Sequence, residues 1–308
     1  MISGFCTSGR RLQRAAIVTL VLLSSALLTF VPAYAQAVVT DAKGETVRIV
    51  TAHRIISLGP DVTEILYALG FGDQIIAVDS SSRFPLETAS KSNVGYRRAL
   101  NPEGLASLQP DLIIAAEDSG PPEAIDILRD LQTPIFFIPE DNSQAGVSRK
   151  IDLIAAVLGS TDAASLLKKR VAADFADAAS NGARTFPASR RKVIFLLNLE
   201  RLSAGGGGTP ADAIIEMAGG INPLSQAPGY KRISEESLLA MAPDTIMMLA
   251  DGKGGPKADE VFSTPALRNI PAAKTRSLVV LEGSHMLGFG PRTAEAIRVL
   301  SKSLYPGE

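Results

Sequence analysis

The stretch SQAGVSRKIDLIAAVLGSTDAASLLKKRVAADFADAASN, Ser143 to Asn181, decides how the chain is read. Apolar residues recur at Val147, Ile151, Ile154, Ala155 and Leu158, then at Leu166, Leu167, Val171, Phe175 and Ala178, at spacings of three and four that gather them on one helical face. The pattern predicts one long helix, or two helices in line with a kink at Gly159-Ser160. On either side of it the chain repeats itself. Gly95-Tyr96-Arg97-Arg98-Ala99-Leu100-Asn101-Pro102-Glu103-Gly104-Leu105 is followed, seven residues after its glutamate, by Pro110-Asp111-Leu112-Ile113. Gly229-Tyr230-Lys231-Arg232-Ile233-Ser234-Glu235-Glu236-Ser237-Leu238 is followed, seven residues after Glu236, by Pro243-Asp244-Thr245-Ile246. Two copies of one unit therefore flank one helical connector.

Each copy sits in an alternation of strands and helices. Before the connector, residues 38–50 read as a β-hairpin around Lys43-Gly44, and 54–59 as a buried strand leading to a helix over 61–69 that Gly70-Phe71-Gly72 stops. Strands at 75–79, 112–116 and 135–138, with helices at 103–108 and 122–131, complete a first lobe. After the connector, strands at 192–197, 245–249 and 278–281 alternate with helices at 210–218, around Asp259 and at 291–304. Such alternation implies parallel sheets covered by helices on both faces. The expected fold class is α/β, with two Rossmann-like lobes joined by a single long helix and a ligand cleft between them. The expected limits are a signal peptide at 1–35, an N-terminal lobe at 36–142, the linking helix at 143–184 and a C-terminal lobe at 185–308. One helical connector predicts only modest lobe closure.

The first 35 residues carry a basic start at Arg10, Arg11 and Arg14, an apolar run from Ala15 to Val31 and a small-x-small site at Ala33-Tyr34-Ala35. They predict export with cleavage near Ala35, the competing reading being an uncleaved anchor. The sole cysteine, Cys6, precedes the apolar run, so the mature chain has no disulfide, thiolate nucleophile or cysteine metal site. Loss of three arginines takes the net charge from −1 to −4, which gives no hint of a nucleic-acid partner.

Few residues remain to carry chemistry. Tyr96 stands in a glycine-led loop beside Arg97 and Arg98, just before a helix start, and neighbouring cations favour a phenolate. A phenolate oxygen is a hard donor suited to ferric iron. The same residues also fit an exposed loop tyrosine stacked on arginine. Tyr230 occupies the same place in the second copy, followed by Lys231 and Arg232, and reads equally as a ligand contact or as a remnant of duplication. Glu103 and Glu236 each fall at the second position of a helix, where an acid suits the helix dipole; alternatively, one carboxylate per lobe forms a docking surface for basic partner residues. His285 lies in the glycine-rich link Gly283-Ser284-His285-Met286-Leu287-Gly288-Phe289-Gly290, where ligand contacts gather in open α/β sheets, whereas His53 reads as a surface residue. No G-x-G-x-x-G after the first strand, G-K-[ST], G-x-S-x-G or H-E-x-x-H occurs, and no clustered acid and histidine set is available to run a reaction.

With these residues on the page, the mature chain resembles the substrate-binding proteins of class III ABC importers, the family that serves siderophores, cobalamin and haem. The likeness rests on the Asp41 hairpin, Arg54-Ile55-Ile56-Ser57-Leu58 with Thr63-Glu64, Pro110-Asp111-Leu112-Ile113-Ile114 and the linking helix. Within the family, Asn93-Val94-Gly95-Tyr96-Arg97-Arg98-Ala99-Leu100, Ala116-Glu117-Asp118-Ser119-Gly120-Pro121-Pro122 and Leu287-Gly288-Phe289-Gly290-Pro291-Arg292-Thr293 look like the haem-binding branch. The resemblance implies a class III periplasmic binding protein fold and a periplasmic, monomeric carrier without enzymatic activity. It implies Tyr96 as axial ligand to ferric haem (iron protoporphyrin IX) and Arg98 as the partner that stabilises its phenolate. Glu103 and Glu236 would dock on a permease dimer served by ATPase subunits. Tyr230, Lys231 and Arg292 become further haem contacts, with Arg232 and Lys253 beside them as candidates for the propionates, and His285 a candidate for the sixth coordination position. Some haem carriers place a histidine just after the first strand of the second lobe; Leu197-Asn198-Leu199-Glu200 has none, which puts a second ligand from there in doubt. A ferric siderophore or cobalamin is the alternative cargo, and the absence of Trp argues mildly against the siderophore.

Overall fold

The structure, a computed structural model, describes residues 37–183, 190–250 and 254–306. The expected signal peptide with Cys6 and the cleavage site, and also Lys253, lie outside the described residues. A hairpin of β1 (Ala37–Thr40) and β2 (Thr46–Ile49) comes first. Asp41 shapes its turn: Oδ1 accepts from the amides of Lys43 and Glu45, both at 2.9 Å, while Oδ2 accepts from the amide of Phe137 and ties the hairpin to the first lobe.

That lobe runs β3 (Ile55–Leu58), α1 (Pro60–Ala68), β4 (Ile75–Val78), β5 (Ser92–Asn93), α2 (Pro102–Ser107), β6 (Leu112–Ala116), α3 (Pro122–Asp130) and β7 (Ile135–Ile138). The strands form a parallel sheet of order β5-β4-β3-β6-β7. β3, β6 and β7 are buried along their whole length, as expected of a sheet covered on both faces.

After the connector come β8 (Val193–Asn198), β9 (Ser203–Gly205), α6 (Pro210–Met217), β10 (Tyr230–Arg232), α7 (Glu235–Met241), β11 (Thr245–Ala250), α8 (Ala258–Ser263), α9 (Pro271–Thr275), β12 (Leu278–Glu282), α10 (Gly283–Leu287) and α11 (Thr293–Leu304), the connector itself supplying α4 and α5. The second sheet has the order β10-β9-β8-β11-β12. It departs from the first in one respect, because β8, β9 and β10 pair antiparallel and only β8, β11 and β12 are parallel.

The repeated Pro-Asp does the same work in both lobes. Asp111 accepts from the amides of His53 and Arg54, each at 2.9 Å, and returns its own amide to the carbonyl of Arg54. Asp244 accepts from the amide of Lys192 at 2.8 Å and returns its amide to the carbonyl of Lys192. In each case the aspartate pins the start of one parallel strand to the start of its neighbour. The duplication read in the sequence is thus a duplication of a strand-entry device.

The Ser143–Asn181 stretch is not one rod. α4 (Gln144–Leu158) starts on the Ser143 hydroxyl, which accepts from the amide of Gly146, and stops at Gly159 in the left-handed region (φ +68°). α5 (Thr161–Ala183) then leaves in a new direction. Asp152 of α4 pairs with Lys168 of α5, although sixteen residues of continuous helix would hold them about 24 Å apart. The two helices bend back on each other and serve different partners. Val147, Ile151 and Ile154 bury α4 beside β1, β7 and α1, whereas α5 packs along α11, with Phe175 against Phe289 at 6.5 Å between ring centres. Leu166, assigned by its spacing to the buried face, is 70% exposed because it lies off the stripe of Ala164, Leu167, Val171, Phe175 and Ala178 that α5 buries.

A buried cation fastens the lobes together. Lys150 of α4 is almost fully buried, and its ammonium lies 2.6 Å from Asp61 Oδ2 of α1, 3.1 Å from the carbonyl of Gly288 and 3.3 Å from that of Phe289. All three ammonium protons have acceptors. Gly288 makes the approach possible, since a Cβ there would stand 2.9 Å from the amide nitrogen of Asp61. Taking away one side of such a buried pair costs about 3–5 kcal/mol. Lys150→Met is therefore expected to lower unfolding stability by about that amount in urea titrations, and Lys150→Met with Asp61→Leu to recover a large part of it. A double variant no more stable than the single one would show that the pair is not the source of the loss.

Candidate functional site

In open parallel sheets, the loops at the carboxyl ends of the strands carry ligands. The loop from Asn93 to Leu100 runs over that edge of the first sheet. Asn93 Oδ1 accepts from the amide of Gly95 at 2.8 Å, the carbonyl of Gly95 accepts from the amide of Ser80, and Gly95 itself has φ +84°, a turn that suits glycine. The loop is then stitched to the end of β6, where the amide of Gly120 donates to the carbonyl of Arg97 and the amide of Leu100 to that of Gly120, both at 2.9 Å.

Tyr96 projects from this loop with 43% of its surface exposed, and its phenol oxygen accepts from Arg98 Nη1 at 2.8 Å. Arg98 is held in turn by the carboxylate of Asp118. Arg97 is buried and grips the same carboxylate with two bonds of 2.8 Å, from Nε to Oδ1 and from Nη2 to Oδ2. Burial pushes the Asp118 carboxyl up, but the bonds and charge of Arg97 and then Arg98 outweigh it and leave the group below the usual carboxylate range. Glu140, at the end of β7, is pushed up to about 6 by burial and then by the charge of Asp118.

The opposite wall belongs to the second lobe. Tyr230 opens β10, is 41% exposed and meets Phe195 edge to face at 6.3 Å between ring centres. Burial pushes its phenol up to about 12, with Arg98 pulling against the rise and Glu140 and Tyr96 adding to it. These neighbours all come from the first lobe, so Tyr230 lies close enough to feel the charges of the Tyr96 cluster. The two repeated tyrosines differ in chemistry. Tyr96 holds a guanidinium on its oxygen, while Tyr230 is a neutral hydrogen-bond donor throughout the physiological range.

The structure does not bring the other predicted contacts to this place. Lys231 is exposed, and strand alternation puts it on the face opposite Tyr230. His285 and Arg292 follow β12, at the far edge of the second sheet from β10, four strand spacings or about 19 Å away. There they belong to a joint between the lobes. Arg292 Nε donates to Glu64 Oε1 at 2.7 Å, its guanidinium lies over the ring of Phe84 and contacts His285 Nε2, and His285 lies 3.5 Å from Glu295. Burial and then the Arg292 charge push the His285 imidazole below its ordinary value, while burial raises the Glu64 carboxyl to about 7 against the pull of Arg292. A cavity of about 500 Å³ opens beside this joint, with Tyr67, Phe84, Arg170 and Asp174 among its lining residues. His285 is thus engaged away from Tyr96 and is not placed as its axial partner.

Glu103 and Glu236 are exposed at the second positions of α2 and α7. Each helix is capped as expected, by Asn101 accepting from the amide of Gly104 and by Ser234 accepting from the amide of Ser237, both at 3.1 Å. Sequence reasoning missed Asp118 and Glu140 as members of the Tyr96 cluster. The signal available was an acid just past the end of each of two neighbouring parallel strands.

Comparison with known proteins follows the same lines. Residues 55–284 match the family described as periplasmic binding protein. A vitamin B12-binding protein of Vibrio cholerae serotype O1 is 31% identical over 200 residues, 63% of this chain and 70% of the relative. The periplasmic heme-binding protein RhuT from Roseiflexus sp. RS-1, in apo form, superposes with a TM-score of 0.76 at 33% identity, over 83% of this chain and 98% of that one. The periplasmic heme-binding protein HutB of Vibrio cholerae does so with a TM-score of 0.73 at 31% identity, over 83% and 100%.

The raised Glu64 carboxyl gives a test at the joint. Between pH 4.5 and about 7 the folded chain holds a proton on Glu64 that the unfolded chain releases, so stability falls as pH rises through that window. Glu64→Gln is expected to flatten the dependence of the urea midpoint on pH there, leaving the smaller slope that Glu140 contributes. An unaltered slope would mean that Glu64 is ionised across the window.

Proposed function

The chain belongs to the periplasmic binding protein family, and from that premise we propose that it is a periplasmic carrier of ferric haem that hands its cargo to an ABC importer. The family and its solved relatives are substrate-binding proteins, not enzymes. The observation that carries the haem reading is the Tyr96–Arg98 pair. A phenol on the cleft wall with a guanidinium donating to its oxygen at 2.8 Å keeps a lone pair for a metal ion, and the cation beside it would balance the charge of an iron-bound phenolate. Phenolate is one of the few protein ligands that bind haem iron, and it favours the ferric state. In this reading Tyr96 takes the iron, Arg98 holds its charge, and Tyr230 faces the opposite side of the cargo as a neutral donor. His285, Arg292 and Lys231 take no part in coordination.

The limits proposed for the chain are a leader at 1–35, an N-terminal lobe at 36–142, a helical connector at 143–184 and a C-terminal lobe at 185–308. Delivery needs a surface on each lobe that the importer can grip. Glu103 and Glu236 supply one exposed carboxylate apiece at equivalent helix starts, suited to basic residues on two permease subunits.

A second reading, cobalamin as cargo, draws support from the vitamin B12-binding relative at 31% identity. Parallel titrations with hemin and cyanocobalamin separate the two. Hemin is expected to give a Soret band with a high-spin ferric tyrosinate charge-transfer feature; binding of cyanocobalamin alone would overturn the haem reading. Tyr96→Phe is expected to weaken hemin binding by at least tenfold, the loss of a charged ligand contact of 1.4 kcal/mol or more. An unchanged affinity would remove Tyr96 from its role. Glu103→Arg combined with Glu236→Arg is expected to abolish haem uptake in cells while the purified variant titrates with hemin as the parent does.

A further inference from the structure

Arg98 is a long, half-exposed side chain, and the bond its own loop gives its guanidinium is the one to Tyr96 itself. Left to itself it would sample many rotamers, and a hydrogen bond to Tyr96 would cost that freedom. The structure supplies a fixed second attachment in Asp118. The Asp118 carboxylate is clamped by two parallel bonds from buried Arg97, a planar fork that fixes the carboxylate in orientation as well as in position. Arg97 itself is immobilised by the backbone stitch to Gly120. Asp118 Oδ2, already fixed by Arg97 Nη2, is shared with Arg98, whose two terminal nitrogens divide between that oxygen and the Tyr96 oxygen. The neighbouring titratable groups are Glu140, 3.9 Å from Arg97 and close to Asp118, then Asp79 and Asp61, whose charges also act on Arg97, and, across the cleft, the neutral phenol of Tyr230.

We propose that Asp118 is the positioning residue of the cargo site: clamped by Arg97, it aims Arg98 at the Tyr96 oxygen and so sets how firmly that oxygen holds a ferric centre. The inference rests on the haem reading and deepens it. It runs against simple charge counting. Asp118 is an anion close to a group that must become an anion, so on charge alone it would weaken the phenolate; as an aiming device it strengthens it.

The two effects move one measurable quantity in opposite directions. On acidification of the hemin-loaded protein, a proton competes with iron for Tyr96, and the tyrosinate charge-transfer band is lost at a characteristic pH. Asp118→Asn keeps the shape of the side chain but loses the charge that holds both guanidinium groups. It is expected to raise that midpoint by about one pH unit and to speed hemin transfer to excess apomyoglobin about tenfold, with Asp118→Glu restoring part of both. A midpoint that falls, as removal of a negative charge alone would give, overturns the proposal, and so does a midpoint that stays put. Should Asp118→Asn fail to fold, Asp118→Glu carries the test, with a smaller rise expected and no change or a fall overturning it. Wild-type protein that develops no tyrosinate band with hemin would sink the haem reading itself, whereas a normal wild-type band with an unmoved variant midpoint sinks only the role of Asp118.

Discussion

An ammonium group cannot be taken out of water without acceptors for its protons, and the arrangement of the two lobes follows from how Lys150 meets that demand. Its three acceptors come from α1 and from the 288–289 turn of the second lobe, while the lysine itself stands on α4. Three segments distant in sequence must therefore converge at one point. Gly288 lets the backbone of the second lobe come within reach of Asp61, where any side chain would collide. A second bond, from Arg292 to Glu64, reinforces the same contact. With the lobes fastened there, the cleft is defined by what is left open along the carboxyl edges of the two sheets.

The polar clusters at these two places behave differently because their groups are differently satisfied. At the joint, Glu64, Arg292, His285 and Glu295 answer one another, and Arg292 is further covered by Phe84. Such a cluster holds parts together and has little capacity left for a ligand. At the cleft, Arg97, Arg98 and Asp118 are likewise paired, but the chain of bonds ends on the Tyr96 oxygen, which receives one hydrogen bond and faces the opening. A phenol oxygen has a second lone pair and a proton to lose. The group with unused bonding capacity is the one expected to meet the cargo.

Much of this architecture was legible in the chain. The alternation of strands and helices gave two α/β lobes, and the repeated Pro-Asp gave their equivalence, since local hydrogen bonding at a strand start depends on few residues. The bend between α4 and α5 was harder to read. Periodicity registers a helical face but not the direction in which the next helix leaves, and of the adjacent Leu166 and Leu167, which cannot share one face, it is Leu167 that α5 buries. Lys150 and Asp61 were invisible for a related reason, being an ordinary lysine and an ordinary aspartate 89 positions apart whose meeting is a property of the packed lobes. The placing of His285 was hard to read because a glycine-rich strand-to-helix link is a good place for ligand contacts in general, while strand order decides where such a link lies. In this sheet β12 and β10 lie at opposite edges.

The duplication also shows how a repeated motif can keep its place and change its chemistry. Both copies read Tyr-x-Arg after a glycine of positive φ, at Gly95 and Gly229, and both tyrosines reach the cleft from an edge of their sheet. In the first copy the chain beyond β5 is an open loop, free to fold back so that Arg98 meets its own tyrosine. In the second copy the same residues form β10, an extended strand paired with β9, and among the described residues Arg232 makes no bond to Tyr230. An extended backbone places residues i and i+2 on one face with their side chains running parallel, whereas a tight turn lets the second curl over the first. The amide of Ala99 donating to the carbonyl of Tyr96 is that turn. Backbone conformation, more than the residues themselves, therefore decides that one phenol carries a guanidinium from its own copy, while burial pushes the other up to about 12. A cleft with a guanidinium-bearing phenol on one wall and a phenol raised by burial on the other has a direction.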